Sequence, residues 1–108
     1  MQALAQSKEI HLPRLDGLSP TLESTALKLM EEAGELGAAI GKVRGLSGEQ
    51  VETSEADAIR RVAEELLDVA QTAVTMMFVL EESYGVEINE ILEAHVAKLV
   101  RRGYLSSV

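Results

Sequence analysis

Apolar side chains recur along this chain at three- and four-residue spacing, and nowhere do they alternate with polar ones as in a strand. On a helical projection Leu22, Ala26, Leu29, Ala33, Leu36 and Ile40 gather on one stripe. Ile59, Val62, Ala63, Leu66, Val69, Ala70, Ala73, Met77 and Leu80 form a second stripe. Ile88, Ile91, Leu92, Val96 and Leu99 form a third. The pattern predicts three helices, no sheet and no internal repeat.

Local signals set the expected boundaries. Ser19-Pro20 reads as an N-cap followed by proline at the first helical position, which opens a helix running from about residue 20 to 42. Gly34, Gly37 and Gly41 within it either lower its propensity or permit a close helix approach. A polar loop over residues 43–53 is marked by Gly45, Ser47 and Gly48. Ser54 is a good N-cap for the second helix, with Glu55 and Asp57 in its first turn. That helix is expected to run to Tyr84 and stop at Gly85. A third helix from about Asn89 has Gly103 as its C′ residue, with Arg101 and Arg102 in its last turn. Pro13 and Gly17 make residues 1–19 an irregular arm, or a short helix and a loop. The 108 residues read as one domain: arm 1–19, helical core 20–103 and tail 104–108. The expected class is all-α, with helical hairpins joined into a four-helix-bundle-like oligomer.

Composition narrows the functions open to such a bundle. A hydrophobic content of 46% with only 3% aromatic residues predicts a small, aliphatic core. A homodimer or homotetramer would supply the missing burial. With no cysteine there is neither a disulfide nor a thiolate metal site. A formal charge of -8 argues against nucleic acid as a partner. It leaves open a small phosphorylated substrate accompanied by a metal ion. Gln2, Gln6, Ser7, Lys8 and Glu9 interrupt any signal-peptide core, and Asp68 and Gln71 interrupt the most apolar run. A cytoplasmic protein with no membrane partner is the expectation.

Two acidic clusters carry the chemistry: Glu31-Glu32-Ala33-Gly34-Glu35, and Glu65-Leu66-Leu67-Asp68. Their i, i+3 and i, i+4 spacings line carboxylates along one helix side. Glu32 borders the first apolar stripe, Glu65 sits at the edge of the second, and Asp68 lies one step outside it. Either cluster alone is an ordinary solvated helix face. Two of them meeting across an antiparallel hairpin would repel one another. A hard divalent cation, Mg²⁺ or Mn²⁺, would relieve that repulsion.

These motifs resemble the MazG-like nucleotide pyrophosphohydrolases, whose pattern is EExxE followed at a distance by ExxD. The resemblance extends to Leu29-Met30, Leu36, Val69 and the late basic segment Lys98-Leu99-Val100-Arg101-Arg102-Gly103, and covers residues 20–103. It implies an all-α enzyme that hydrolyses nucleoside triphosphates to monophosphate and pyrophosphate, with cleaning of the nucleotide pool as the expected duty. It implies Glu32, Glu35, Glu65 and Asp68 as ligands of Mg²⁺, and Glu31 as the group that activates or orients water. Lys98, Arg101 and Arg102 would neutralise phosphates, or simply cap their helix. A dimer is the minimum assembly, and the resemblance makes a tetramer plausible.

Three other classes compete. A di-iron carboxylate protein needs Glu-x-x-His pairs, but Leu92 precedes His95 by three and Lys8 precedes His11. A non-enzymatic helical interaction module predicts no stabilisation by metal. A phosphoribosyl-ATP pyrophosphohydrolase shares the broad fold and chemistry. His95 reads as a packed or hydrogen-bonded helical residue, and Met76 and Met77 as core or subunit interface. Arg60, Arg61, Lys28 and Lys42 read as partners of nearby acids. With only Phe78, Tyr84 and Tyr104 as aromatics, a base would be held by aliphatic and polar groups, or selected loosely.

Overall fold

The computed structural model describes residues 6–45 and 54–106. Within them the chain forms three helices and no strand: α1 (Leu22–Val43), α2 (Glu55–Tyr84) and α3 (Ile88–Arg101). None is long and apolar enough to cross a membrane. The expected all-α class holds. Residues 6–20 are irregular rather than helical. Residues 46–53 of the predicted loop, the first five of the arm and the last two of the tail lie outside the described residues.

The caps explain the boundaries. Thr21, not Ser19, is the N-cap of α1. The Ser24 backbone N–H donates to Thr21 Oγ1 at 3.0 Å, and the Thr21 N–H donates to Ser24 Oγ at 2.9 Å. This reciprocal box satisfies two backbone donors, where a lone Ser19 would satisfy one, so Pro20 is left outside the helix. Ser54 caps α2 as expected, accepting from the Asp57 N–H at 3.2 Å. Gly85, at φ +67°, ends α2 in the left-handed conformation that glycine adopts without strain. α3 begins at Ile88, one residue earlier than predicted, and has no side-chain cap. It closes on Gly103 at φ +79°, where the Tyr104 N–H donates to the Leu99 carbonyl at 2.9 Å.

α1 and α2 pack along a seam of seven-residue period. Thr25, Glu32 and Ala39 are buried on α1, with Leu22, Leu29, Leu36 and Val43 half-buried beside them. Glu65, Thr72 and Val79 are buried on α2, with Ala58, Val62, Val69 and Met76 half-buried. Thr25 shares a cavity with Thr72, and Glu32 meets Glu65, so the helices run antiparallel. The seam is turned from the centre of the apolar stripe by about 50° on α1 and about 90° on α2. Each stripe is wider than one neighbouring helix can cover. The intramolecular contact takes the edge that carries the glutamates.

Much apolar surface consequently stays outside. Ala39 and Val79 are the only buried apolar residues described, while Met30 is 70% exposed and Leu66 53%. α3 buries no residue, and the α1–α2 seam is the principal helix interface. The radius of gyration is 17.2 Å, against about 13 Å for a compact chain of this length.

The arm is strapped across α2. Arg14 Nε and Nη2 donate to the two carboxylate oxygens of Glu82 at 2.6 and 2.8 Å. Gln71 Nε2 donates to the Pro13 carbonyl at 2.9 Å. The Arg14 guanidinium holds the Glu82 carboxyl below its ordinary range, first through the hydrogen bond and then through charge. A depressed carboxyl stabilises the strap above its unfolded pKa, and that contribution is lost as pH falls through the folded value. Glu82→Gln should therefore speed proteolysis within residues 6–20 at neutral pH. The melting midpoint, set by the helical seam, should change little. Wild type should show the same cleavage only in acid.

Candidate active site

Heptad spacing delivers Glu32 and Glu65 to the same layer of the seam. They are 6% and 3% exposed. Asp68, one turn beyond Glu65, completes a group in which one carboxylate oxygen from each residue lies within 4.8 Å of the others. Lys28 Nζ stands 3.0 Å from Glu32 Oε1, and Arg61 Nη2 stands 2.6 Å from Glu65 Oε1. The other oxygens, Glu32 Oε2 and Glu65 Oε2, are buried without a hydrogen-bond partner. Each buried carboxylate is thus neutralised on one oxygen and bare on the other. A bare buried anionic oxygen is costly unless something cationic or protic meets it. Three converging carboxylates with two orphaned oxygens form a donor set that suits a hard divalent cation.

Glu35 stands outside this close group and is exposed. Its carboxyl is nonetheless pushed above the ordinary range, chiefly by the charge of Glu32, then by desolvation and by Glu65 and Glu31. The same negative potential that would attract a cation therefore reaches Glu35. Glu31 is exposed, 3.9 Å from Lys28 Nζ. The helical projection set Glu32 and Glu65 at the edges of their stripes, but the structure sets both inside the seam.

Beside the acids, a cavity of about 410 Å³ opens between the arm and the hairpin. Leu15, Leu18 and Pro20 form its arm wall, and Thr25, Gln71, Thr72 and Thr75 its helical wall. Lys28, Glu32 and Asp68 border it. The Thr25 hydroxyl donates to the Thr21 carbonyl at 2.8 Å, and the Thr72 hydroxyl to the Asp68 carbonyl at 3.0 Å. Both side chains are fixed by their own helices and keep acceptor capacity.

The model of the MazG nucleotide pyrophosphohydrolase domain matches residues 20–104. The chain belongs to that family. No curated protein and no solved structure matches it. Within the MazG frame Lys98 and Arg101 lie on α3 and Arg102 is its C-cap, and none of the three lines this cavity. His95 is exposed on α3 rather than packed, and Met77 is exposed while Met76 is half-buried.

The sequence reading missed several residues here. Thr25 and Thr72 sit seven positions outward from Glu32 and Glu65, and that spacing was their available signal. Against the expectation of no internal repeat, a short one runs through these motifs. Lys28-x-x-Glu31-Glu32-x-x-Glu35 on α1 recurs as Arg61-x-x-Glu64-Glu65-x-x-Asp68 on α2. The ion pairs recur with it: Lys28 lies 3.9 and 3.0 Å from its two glutamates, Arg61 4.0 and 2.6 Å from its own. Arg61 does balance nearby acids, as expected, but one of them is buried.

Adding Mg²⁺ should raise the melting temperature. A hundredfold excess over the dissociation constant corresponds to about 2.7 kcal/mol. Glu65→Gln should melt higher than wild type in EDTA, because a like charge is removed, and should gain little on adding Mg²⁺. Calorimetry with and without the ion checks both outcomes.

Proposed function

We propose that this chain is a Mg²⁺-dependent nucleoside triphosphate pyrophosphohydrolase, converting (d)NTP and water to (d)NMP and pyrophosphate in clearance of the nucleotide pool. The observation that carries the reading is the pair of orphaned buried oxygens on Glu32 and Glu65, whose carboxylates converge with that of Asp68 at the edge of the cavity. The family match over residues 20–104 supports the reaction class.

Each residue then has a role that its surroundings permit. Glu32, Glu65 and Asp68 would hold the ion, with Glu35 as a further ligand. Bound there, Mg²⁺ supplies Lewis-acid polarisation of phosphate oxygens and a template for their alignment. Glu31, exposed and outside the close group, orients the attacking water and takes its proton. The triphosphate is cleaved between its α and β phosphates, so the leaving group is pyrophosphate. Phosphoryl transfer depends mainly on positioning and charge neutralisation, which helix-borne carboxylates supply. The nucleoside occupies the cavity between arm and hairpin, against aliphatic side chains and threonine hydroxyls. No aromatic residue lines that cavity, consistent with a base held by aliphatic and polar contacts.

The working unit is a homodimer or homotetramer in the cytoplasm. Exposed Met30 and Ile40 on α1, and Ile59, Leu66 and Met77 on α2, are the surface that association would cover. A second copy would also bring Lys98, Arg101 and Arg102 of α3 to the phosphates. Light scattering should report a dimer or larger, and a monomer at micromolar concentration would remove that part of the reading.

Pyrophosphate release from a panel of NTPs and dNTPs tests the reaction. Turnover should require Mg²⁺, vanish in EDTA and be lost in Glu35→Gln. Glu31→Gln should keep the metal-induced rise in melting temperature and lose turnover by on the order of a hundredfold or more. Stabilisation by metal without turnover would direct the search to another phosphorylated substrate, phosphoribosyl-ATP among them. Absence of both would favour a non-enzymatic interaction module.

A further inference from the structure

The arm borders two cavities, not one. The first is the cavity of about 410 Å³ beside the acids. The second, of about 420 Å³, lies further along α2, against Phe78, Val79 and Glu82. Leu15, Leu18, Ser19 and Pro20 line both. Leu18 is 63% exposed, and a Cβ added at Gly17 would meet nothing within 4 Å. A segment with so much space about it takes its position from its anchors rather than from packing. Its described polar anchors lie at its two ends. At one end the arm runs into the Thr21–Ser24 capping box, which fixes it to α1. At the other, two neighbouring residues reach α2. The Pro13 carbonyl accepts from Gln71, and the Arg14 guanidinium forks onto Glu82. The arm is thus hinged on α1 and latched on α2. The family match begins at residue 20, so Arg14 and the wall residues Leu15 and Leu18 fall outside the matched segment. Gln71 lines the cavity beside the acids, whereas Glu82 does not. Glu82 lies fourteen residues beyond Asp68, about 21 Å along the helix. Its charge is screened over that distance, so its route to the site is the arm.

We propose that Glu82 is a positioning residue for nucleotide binding: by holding Arg14 it latches the arm in place as the wall against which the nucleoside seats. This deepens the pyrophosphohydrolase reading and rests on it. With the phosphates at the acids, the nucleoside meets Leu15 and Leu18. A wall already in place needs no ordering when the ligand arrives. Releasing the latch leaves the hinge and the acids intact. The arm then ranges over the space of both cavities, and each binding event must order it again. The loss therefore falls on substrate affinity and spares the chemical step. Coupling is reciprocal, so a seated nucleoside also holds the arm down.

A charge-reversal cycle tests the latch: Arg14→Glu, Glu82→Arg and the two together. The readouts are KM and kcat for the best triphosphate of the panel, calorimetric binding of inorganic pyrophosphate in Mg²⁺, and proteolysis within residues 6–20. Glu82→Arg should raise KM about fivefold, the upper range for an exposed pair. Its kcat and its pyrophosphate binding should change little. Net charge alone predicts the opposite sign for KM, since this variant is less acidic and the substrate is an anion. Arg14→Glu should raise KM likewise, and the double variant should return it close to the wild-type value. In wild type with Mg²⁺, the nucleoside monophosphate should slow cleavage of the arm and pyrophosphate should not. An unmoved KM in Glu82→Arg, an equal loss of pyrophosphate binding, or a double variant no better than the singles would overturn the latch. Arm cleavage indifferent to the monophosphate would overturn it too. Wild type that neither hydrolyses nor binds a nucleotide would sink the pyrophosphohydrolase reading itself. Active wild type with any of the preceding contrary results would sink the Glu82 assignment alone.

Discussion

Two carboxylates facing each other inside a helical seam impose the constraint on which the rest of this structure depends. Glu32 and Glu65 occupy positions where a stability-driven seam would place leucine or alanine. At a separation of no more than 4.8 Å, one like-charge pair costs about 3.5 kcal/mol or more at an effective dielectric of 20. A domain of this size has only some 5–15 kcal/mol of stability in total. Lys28 and Arg61 offset part of that cost from one side of each carboxylate. The orphaned inner oxygens keep the remainder. A layer this unfavourable is readily understood where a ligand offsets it, which is the reason the metal-binding role is proposed for these acids.

The apolar surface follows from the same choice. Because the seam takes the acidic edge of each stripe, Met30, Ile40, Ile59 and Leu66 face outward; α3 adds little helix packing to the hairpin. The division also separates rigid from adjustable parts. Carboxylates and threonines sit on long, capped helices, which hold them to the tolerance that the proposed metal and phosphate chemistry would need. The opposite wall of the cavity is an irregular arm tied down by one exposed ion pair and one glutamine. Exposed pairs are screened and weakly stabilising, so the arm lies at the low end of local stability. An entrance wall that opens at little cost suits the nucleotide-binding role proposed for this cavity.

Most of the architecture was legible along the chain, because helix signals are local. Ser54, Gly85 and Gly103 ended or began helices as their chemistry dictates. The start of α1 was misplaced because Ser19-Pro20 and Thr21-x-x-Ser24 are both valid caps, and only the second closes reciprocally. The two acidic motifs were legible as a pair, and Glu32, Glu65 and Asp68 do converge. Their depth was not legible. A helical projection locates the centre of apolarity, whereas the seam follows the partner helix, and the two differ when the apolar arc exceeds one neighbour. The cavity was invisible for a related reason. It joins Leu15 and Leu18 to Thr72 and Thr75, which are distant in sequence, and irregular arm residues carry no period to read.

Symmetry in the octads, and its breaking, shows how a simple hairpin acquires direction. A cation, two acids and a further acid at fixed intervals are ordinary surface chemistry on either helix. Brought together antiparallel, they place the two buried acids at the centre and set the cations toward opposite ends. With that arrangement alone the two ends would be equivalent. The arm crosses α2 near Gln71, on the side where the heptads carry Thr25 and Thr72 rather than Ala39 and Ala58. Among the described residues, that end carries hydroxyls, a wall and a cavity. Direction in this site therefore comes from what flanks the repeated acids, while the acids themselves supply the charge that a cation, and through it a phosphate chain, would need.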